Sequence, residues 1–344
     1  MIGHLCYAAG KSDRTLVLDR RELPVDEREL TSTLLLARDW LAGRHDADVT
    51  TIAMIEPSAD PSFDLDYQFA QYLPGPPPRF ELRGSCGHSI LSSVAVAHRL
   101  AWLSPFSTDS RLRVNVLNTG DRVACEVSAA SRSLTFSVEF GYQPPRRLGD
   151  LLPTGTPRDE LDGMTVSLVS AGNPHVFVDA ADLGLRDEAA LFAADASVRG
   201  RLTDIRRAGA RRFGLPENGV FPRVSAVGQY EYRRLAMLTL PAQVGSGPLP
   251  PADAVTVAAA AVIEGTVPQR LAERGWSRVD ELVVDNPFGT TVVRAAVTGT
   301  TPDDTLTRVG VRRGTVRYDG PVFVEPLRDL MLRQEDAVPR SALH

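Results

Sequence analysis

Residues 83–103 read RGSCGHSILSSVAVAHRLAWL, and this stretch decides what kind of molecule the chain forms. From Cys86 onward it is apolar nearly all round, with Ser89, Ser92, Ser93, Ala95 and Ala97 set among larger side chains. A helix without a consistently polar face must be covered on most sides. Both flanks offer the cover. Upstream, LCYAAGKSDRTLVLD reads as strand, polar turn and strand, and TTIAMIEPS and DLDYQFAQYL read as further strands. Downstream come RLRVNVLNT, RVACEVSA and SLTFSVEFGY, separated by turn residues. Many strands around one apolar helix predict a sheet rolled about that helix. One amphipathic helix, DERELTSTLLLARDWLAG, precedes them and stops at Gly43.

After the Pro/Gly/Asp-rich link LLPTGTPRDELDG the pattern restarts. MTVSLVSAGNPHVFV gives strand, turn and strand, and AALFAADASVRGRLTDIRRAGARRFGL is one polar helical region. PRVSAVGQY and RRLAMLTLPAQ are strands, and VGSGPLPP leads into a second small-residue apolar helix, ADAVTVAAAAVIEGT. Three closing strands follow. Each half thus places a glycine-containing turn before one buried helix in a strand-rich setting, an internal duplication in order of elements. The expected architecture is α+β: residues 1–158 and 159–330 as two similar domains, 331–344 as a tail, and a junction near Thr154 to Gly163. Each domain curls a β-sheet or barrel around its central helix, with the active site in the cleft between them.

The 344 residues suffice for two cores, and 43% hydrophobic with 24% charged residues is ordinary for a globular protein. A net charge of -5 disfavours nucleic acid and anionic membrane as partners. The N-terminus lacks the features of a secretory signal. Three widely spaced cysteines, Cys6, Cys86 and Cys125, suit a reducing cytoplasm, which is the expected location. Six scattered histidines give no metal-ligand spacing, and no phosphate-binding glycine motif is present, so no metal and no cofactor are expected. The expected partner is a small-molecule substrate, with a homodimer allowed. Lys11 is the only lysine among 38 basic residues, so a mechanism needing a deprotonatable lysine has one candidate.

Cys86 stands on a glycine-loosened turn at the mouth of the helix. A helix N-terminus carries partial positive charge and unpaired N–H groups, which favour a thiolate or a bound carboxylate. Gly84 and Gly87 let backbone approach a ligand, and His88 can donate or carry a proton. Together these suit proton movement at a carbon beside an anionic group. Cys125, inside an alternating strand, and Cys6, in the first strand, read as core residues, and His98 reads as a core or edge histidine. Asn173, Pro174 and His175 form a turn that can present Asn173 to a cleft, and DNPFG around Asn286 repeats the Asn-Pro device.

The ordered set GSCGHS, LLPTG, VSLVSAGNPHVFVDAADLGL and IEGTV resembles the PrpF family, over about Tyr7 to Val324. That family contains 2-methylaconitate, 3-methylitaconate and oxalomesaconate isomerases and lies in the diaminopimelate-epimerase-like superfamily. The resemblance implies that Cys86 matches the family's catalytic cysteine, with Ser85 and His88 replacing two asparagines. Thr51 falls where the catalytic lysine would be, Lys11 replaces a glycine of the first loop, and the basic pair before the second helix is absent. The expected function is therefore a cofactor-independent isomerase or tautomerase with Cys86 as acid or base. It would shift a proton or double bond beside a carbonyl or carboxylate, in service of natural-product metabolism. Lys11, His88 and His175 are candidates for the second proton group. Ser12, Thr51, Ser85, Gly87, Ser89, Asn173, His175 and Asn286 are expected at the substrate. The alternative is a scaffold derived from such isomerases that binds a ligand or shapes a cyclisation without proton transfer by Cys86.

Overall fold

A computed structural model describes residues 1–8, 13–43, 49–107, 110–130, 133–240, 251–273 and 281–327. The first half runs β1 (Ile2–Ala8), β2 (Arg14–Asp19), α1 (Glu27–Ala42), β3 (Val49–Pro57), β4 (Leu65–Leu73), β5 (Arg79–Glu81), α2 (Gly87–Arg99), β6 (Arg111–Val116), β7 (Asp121–Ala130) and β8 (Ser133–Arg147). The second runs β9 (Asp159–Leu161), β10 (Met164–Ala171), β11 (Asn173–Asp179), α3 (Glu188–Phe192), α4 (Ala196–Phe213), β12 (Arg223–Glu231), β13 (Arg234–Leu240), α5 (Pro251–Val262), α6 (Val267–Glu273), β14 (Leu282–Asn286), β15 (Gly289–Val297) and β16 (Thr305–Phe323).

The duplication is topological. In the first half β2 pairs parallel with β3 across α1, and β4 pairs parallel with β6 across α2. In the second, β11 pairs parallel with β12 across α3 and α4, and β13 with β14 across α5 and α6. Each half thus has one outer and one inner crossover. The burial of β3 shows how the sequence builds both layers at once. Ala53 and Ile55 pack inward with α2, while Val49, Ile52 and Met54 pack outward against α1. A strand covered on both faces reads as a continuous apolar run, as TTIAMI does.

Ile90, Leu91, Val94 and Val96 of α2 are fully buried in the same core that holds Ala254, Val257 and Ala259 of α5. Each large aliphatic side chain so buried contributes about 1.5–3 kcal/mol. The outer helices close with standard caps. The Asp26 carboxylate accepts from the N–H of Arg28 and Glu29 ahead of α1. The single polar helix expected between the strands is two, because Asp195 caps a new start by accepting from the Val198 N–H. No described helix is long and apolar enough to cross a membrane.

The halves share one continuous sheet. The first eight strands in that sheet's order close on themselves, because β16 pairs with both β8 and β1. Ile2 lies opposite Phe323, and Val293 of β15 lies opposite Val311 of the same long strand. The second set begins inside the link expected near Thr154 to Gly163, with β9 at Asp159–Leu161, and β16 belongs to both sets.

Candidate functional site

Cys86 is the N-cap residue of α2, in extended backbone, and its side chain caps nothing. Its carbonyl is held instead: it accepts from the Ile90 N–H at 3.0 Å, the Ser89 hydroxyl at 2.9 Å and the Tyr67 hydroxyl at 3.5 Å. The Tyr67 and Ser89 hydroxyls lie 2.5 Å apart. Backbone and buried hydroxyls therefore fix the turn and leave the half-buried thiol uncommitted. Burial pushes the Tyr67 phenol well above its ordinary range, and negative charge on Cys86 adds to that. Tyr67 stays a neutral donor beside the thiol.

The second half clamps the same turn. The Ser85 N–H donates to Asn173 Oδ1 at 3.1 Å, and Asn173 Nδ2 donates back to the Ser85 carbonyl at 3.1 Å. Thr256 of α5 donates to the Asn173 carbonyl at 3.3 Å. A chain of contacts thus runs from the second central helix to the mouth of the first. Gly84 is obligatory here: its φ is +84°, and a Cβ would meet Asn173 Oδ1 at 2.7 Å and the Phe221 ring at 2.8 Å. A cavity of about 170 Å³ opens beside the turn, between Arg83 and Gly84 on one side and Gly172, Pro174, Leu215 and Phe221 on the other.

The structure brings Ser85, Cys86, Gly87, His88, Ser89 and Asn173 into one locality at the mouth of α2. His88 is buried in the first turn, where its carbonyl accepts from the Ser92 hydroxyl at 3.0 Å. His175 is set apart from them. It is buried in the sheet, 2.7 Å from the Ser225 hydroxyl and stacked on Phe177 at 4.4 Å. Burial, with Arg223 nearby, pulls its imidazole down to about 3, so it stays neutral and does not carry protons at physiological pH. Thr51 is buried on β3 and donates to Gln71 Oε1 at 3.2 Å across the register pair with β4. Asn286 serves its own hairpin, accepting from the Phe288 N–H at 2.8 Å. Lys11 and Ser12 lie outside the described residues. Cys6 and Cys125 are buried, and burial pushes each thiol up to about 12. His98 stacks on Phe106 at 3.9 Å.

Two features escaped the sequence reading. Tyr67 shares the inward parity of β4 with Leu65 and Phe69, so its direction was readable but its partner was not. At the mouth of α5, Asp253 is buried and paired with Arg223 of β12 at 3.4 Å. Burial raises the Asp253 carboxyl and Arg223 opposes that rise. Among the described residues no group of three or more His, Cys, Asp or Glu side chains could hold a metal ion.

The chain and its fold have counterparts among known proteins. The chain is 25% identical over 277 residues to 4-oxalomesaconate tautomerase of Pseudomonas putida, covering 72% of this chain and 74% of that one. The crystal structure of a methylitaconate-delta-isomerase superposes with a TM-score of 0.64 at 19% identity, covering 95% of this chain and 97% of that one. A hydroxyproline epimerase from Agrobacterium vitis, solved with trans-4-hydroxy-L-proline bound, superposes at 0.53 with 12% identity, over 92% and 93% of the two chains. The fold is thus the expected epimerase-like one. The family model described as PrpF protein matches residues 39–229, which hold the Cys86 turn, the Asn173 clamp and the helices α3 and α4, and the chain belongs to the PrpF family.

Proposed function

We propose that this PrpF-family isomerase moves a proton next to a carbonyl or carboxylate of a small unsaturated or oxo acid, with Cys86 as the acid or base. The observation that carries this reading is the Cys86 turn itself. Its carbonyl and its neighbour Ser85 are pinned from both halves, the thiol caps nothing at the mouth of a buried helix, and Arg83 and Gly84 just ahead of it line a cavity. The first-turn N–H groups at that helix mouth suit an enolate oxygen. As base, the thiolate takes a proton from the carbon beside the carbonyl; returning it to the far carbon of the resulting dienolate moves the double bond. Tyr67, held neutral, steadies the turn through Ser89. The named activities of the P. putida tautomerase and the methylitaconate isomerase support the reaction class.

Methylaconitate and other tricarboxylates are not expected substrates. Each buried carboxylate needs donors or cations to offset its desolvation, and Thr51, bonded to Gln71, supplies no charge. A less charged natural-product acid used in the cytoplasm fits better. The decisive experiment follows solvent deuterium into a set of unsaturated acids by NMR in D2O. Exchange that vanishes in Cys86→Ala supports the assignment, and exchange that persists there refutes it. Interconversion of cis- and trans-2-methylaconitate faster than about 1 per second would overturn the substrate expectation.

The same Thr51–Gln71 bond favours a second reading, in which the site holds or shapes a ligand without proton transfer by Cys86. Under it, Cys86→Ala keeps its ligand and its activity.

A further inference from the structure

The cavity beside the Cys86 turn has an unusual charge balance for a protein whose relatives are named for polycarboxylate isomerases. Its charged lining residues among those described are one cation, Arg83, and one anion, Glu81. They already engage each other: the Arg83 N–H donates to Glu81 Oε1 at 3.1 Å, and the guanidinium lies 3.7 Å from the same oxygen. Glu81 is mostly buried while Arg83 is largely exposed, so the carboxylate is the fixed member of the pair. The remaining wall is backbone at Gly84 and Gly172 and apolar surface from Leu215 and Phe221. A closed apolar cavity of about 150 Å³ holds a benzene-sized body, so the 170 Å³ here accepts an arm of similar size.

We infer that this cavity receives the uncharged arm of the substrate, and that Glu81 is a specificity-determining residue that turns away acids carrying a further carboxylate on that arm. The inference rests on the cleft reading above and names the substrate class: short-chain acids with one carboxylate and an apolar arm. Like charges brought together in a site weaken binding, and Arg83, the cation in the cavity's lining, already engages Glu81.

Binding tests this without relying on turnover. Saturated probes with no double bond to move are used: 2-methylbutanoate, methylsuccinate and propane-1,2,3-tricarboxylate, each titrated calorimetrically into the full-length protein. The wild type is expected to prefer the monocarboxylate over the tricarboxylate by about tenfold or more. Glu81→Gln, which frees Arg83, is expected to erase most of that preference. Leu215→Arg, which adds a cation on the opposite wall, is expected to shift it the same way and serves if Glu81→Gln does not fold. A wild type that binds the tricarboxylate as tightly, that binds none of the three, or whose preference survives both substitutions overturns the inference. Solvent exchange that persists in Cys86→Ala, with the binding preference intact, would instead count against the Cys86 assignment alone.

Discussion

At the head of α2 stand Ser85, Cys86 and Ser89, with a half-buried thiol whose turn is held by hydroxyls and backbone. At the head of α5 stand Asp253 and Thr256, with a buried carboxylate locked to Arg223 and a hydroxyl turned to the carbonyls of the Asn173 turn. The two helices occupy corresponding places in duplicated halves, and both are buried in one core. Equal topology has thus kept unequal chemistry. One mouth leaves its reactive atom uncommitted, and the other commits its charge to holding the helix in place. The Asn173 clamp joins them, so the fixed mouth positions the reactive one.

The largest test of this contrast is loss of the thiol. Cys86→Ser should lower turnover about 10²–10⁴-fold, with an unchanged thermal midpoint, and only Cys86 among the three thiols should be alkylated quickly. Comparable labelling of Cys6 or Cys125 would deny that the mouth is special. On the other side, Arg223→Met should cost about 3–5 kcal/mol, because it strands a buried carboxylate. Adding Asp253→Leu should restore most of that, read by urea unfolding. A loss below about 1 kcal/mol, as for surface pairs, would mean that this mouth is not ionically locked.

The imidazole beneath that lock sharpens the comparison through pH. The folded state holds His175 down at about 3, against 6.5 when free, so the unfolded chain binds the extra proton between those values. Its contribution is therefore complete above pH 6.5 and is lost as pH falls toward 3, with a slope of up to about 1.4 kcal/mol per pH unit. His175→Gln should flatten the acid limb of unfolding free energy relative to wild type, and parallel limbs would contradict the buried neutral state. The smallest effect concerns the clamp. Asn173→Ala leaves the Ser85 N–H and carbonyl unsatisfied and should cost about 1–3 kcal/mol. It should also lower turnover without raising KM in proportion. Unchanged kinetics would uncouple the two mouths.

Local pattern made much of this legible. The all-round apolarity of residues 86–103 announced a buried helix, and its glycine-flanked cysteine announced the mouth that the structure shows. Periodicity also gave the restart after residue 163. What stayed hidden was pairing over distance. No local signal tells which strand lies opposite β1, or that Arg223 finds Asp253 thirty residues later. The turn expected over Asn173, Pro174 and His175 falls instead at Gly172, and all three lie in β11, where the Ser225 hydroxyl and the Phe177 ring meet His175.

The nineteen-residue strand β16 carries one further consequence, for how the molecule comes into being. β1 leaves the ribosome long before β16, its neighbour across the barrel seam, with Ile2 waiting for Phe323. Contacts of such separation are slow to form, since loop closure must precede any gain from pairing. Until β16 is synthesised, β1 and β8 present open edges, which invite pairing with other chains. A fragment ending near residue 158 is therefore expected to aggregate when made alone and to be rescued by co-expression of the segment that carries β16.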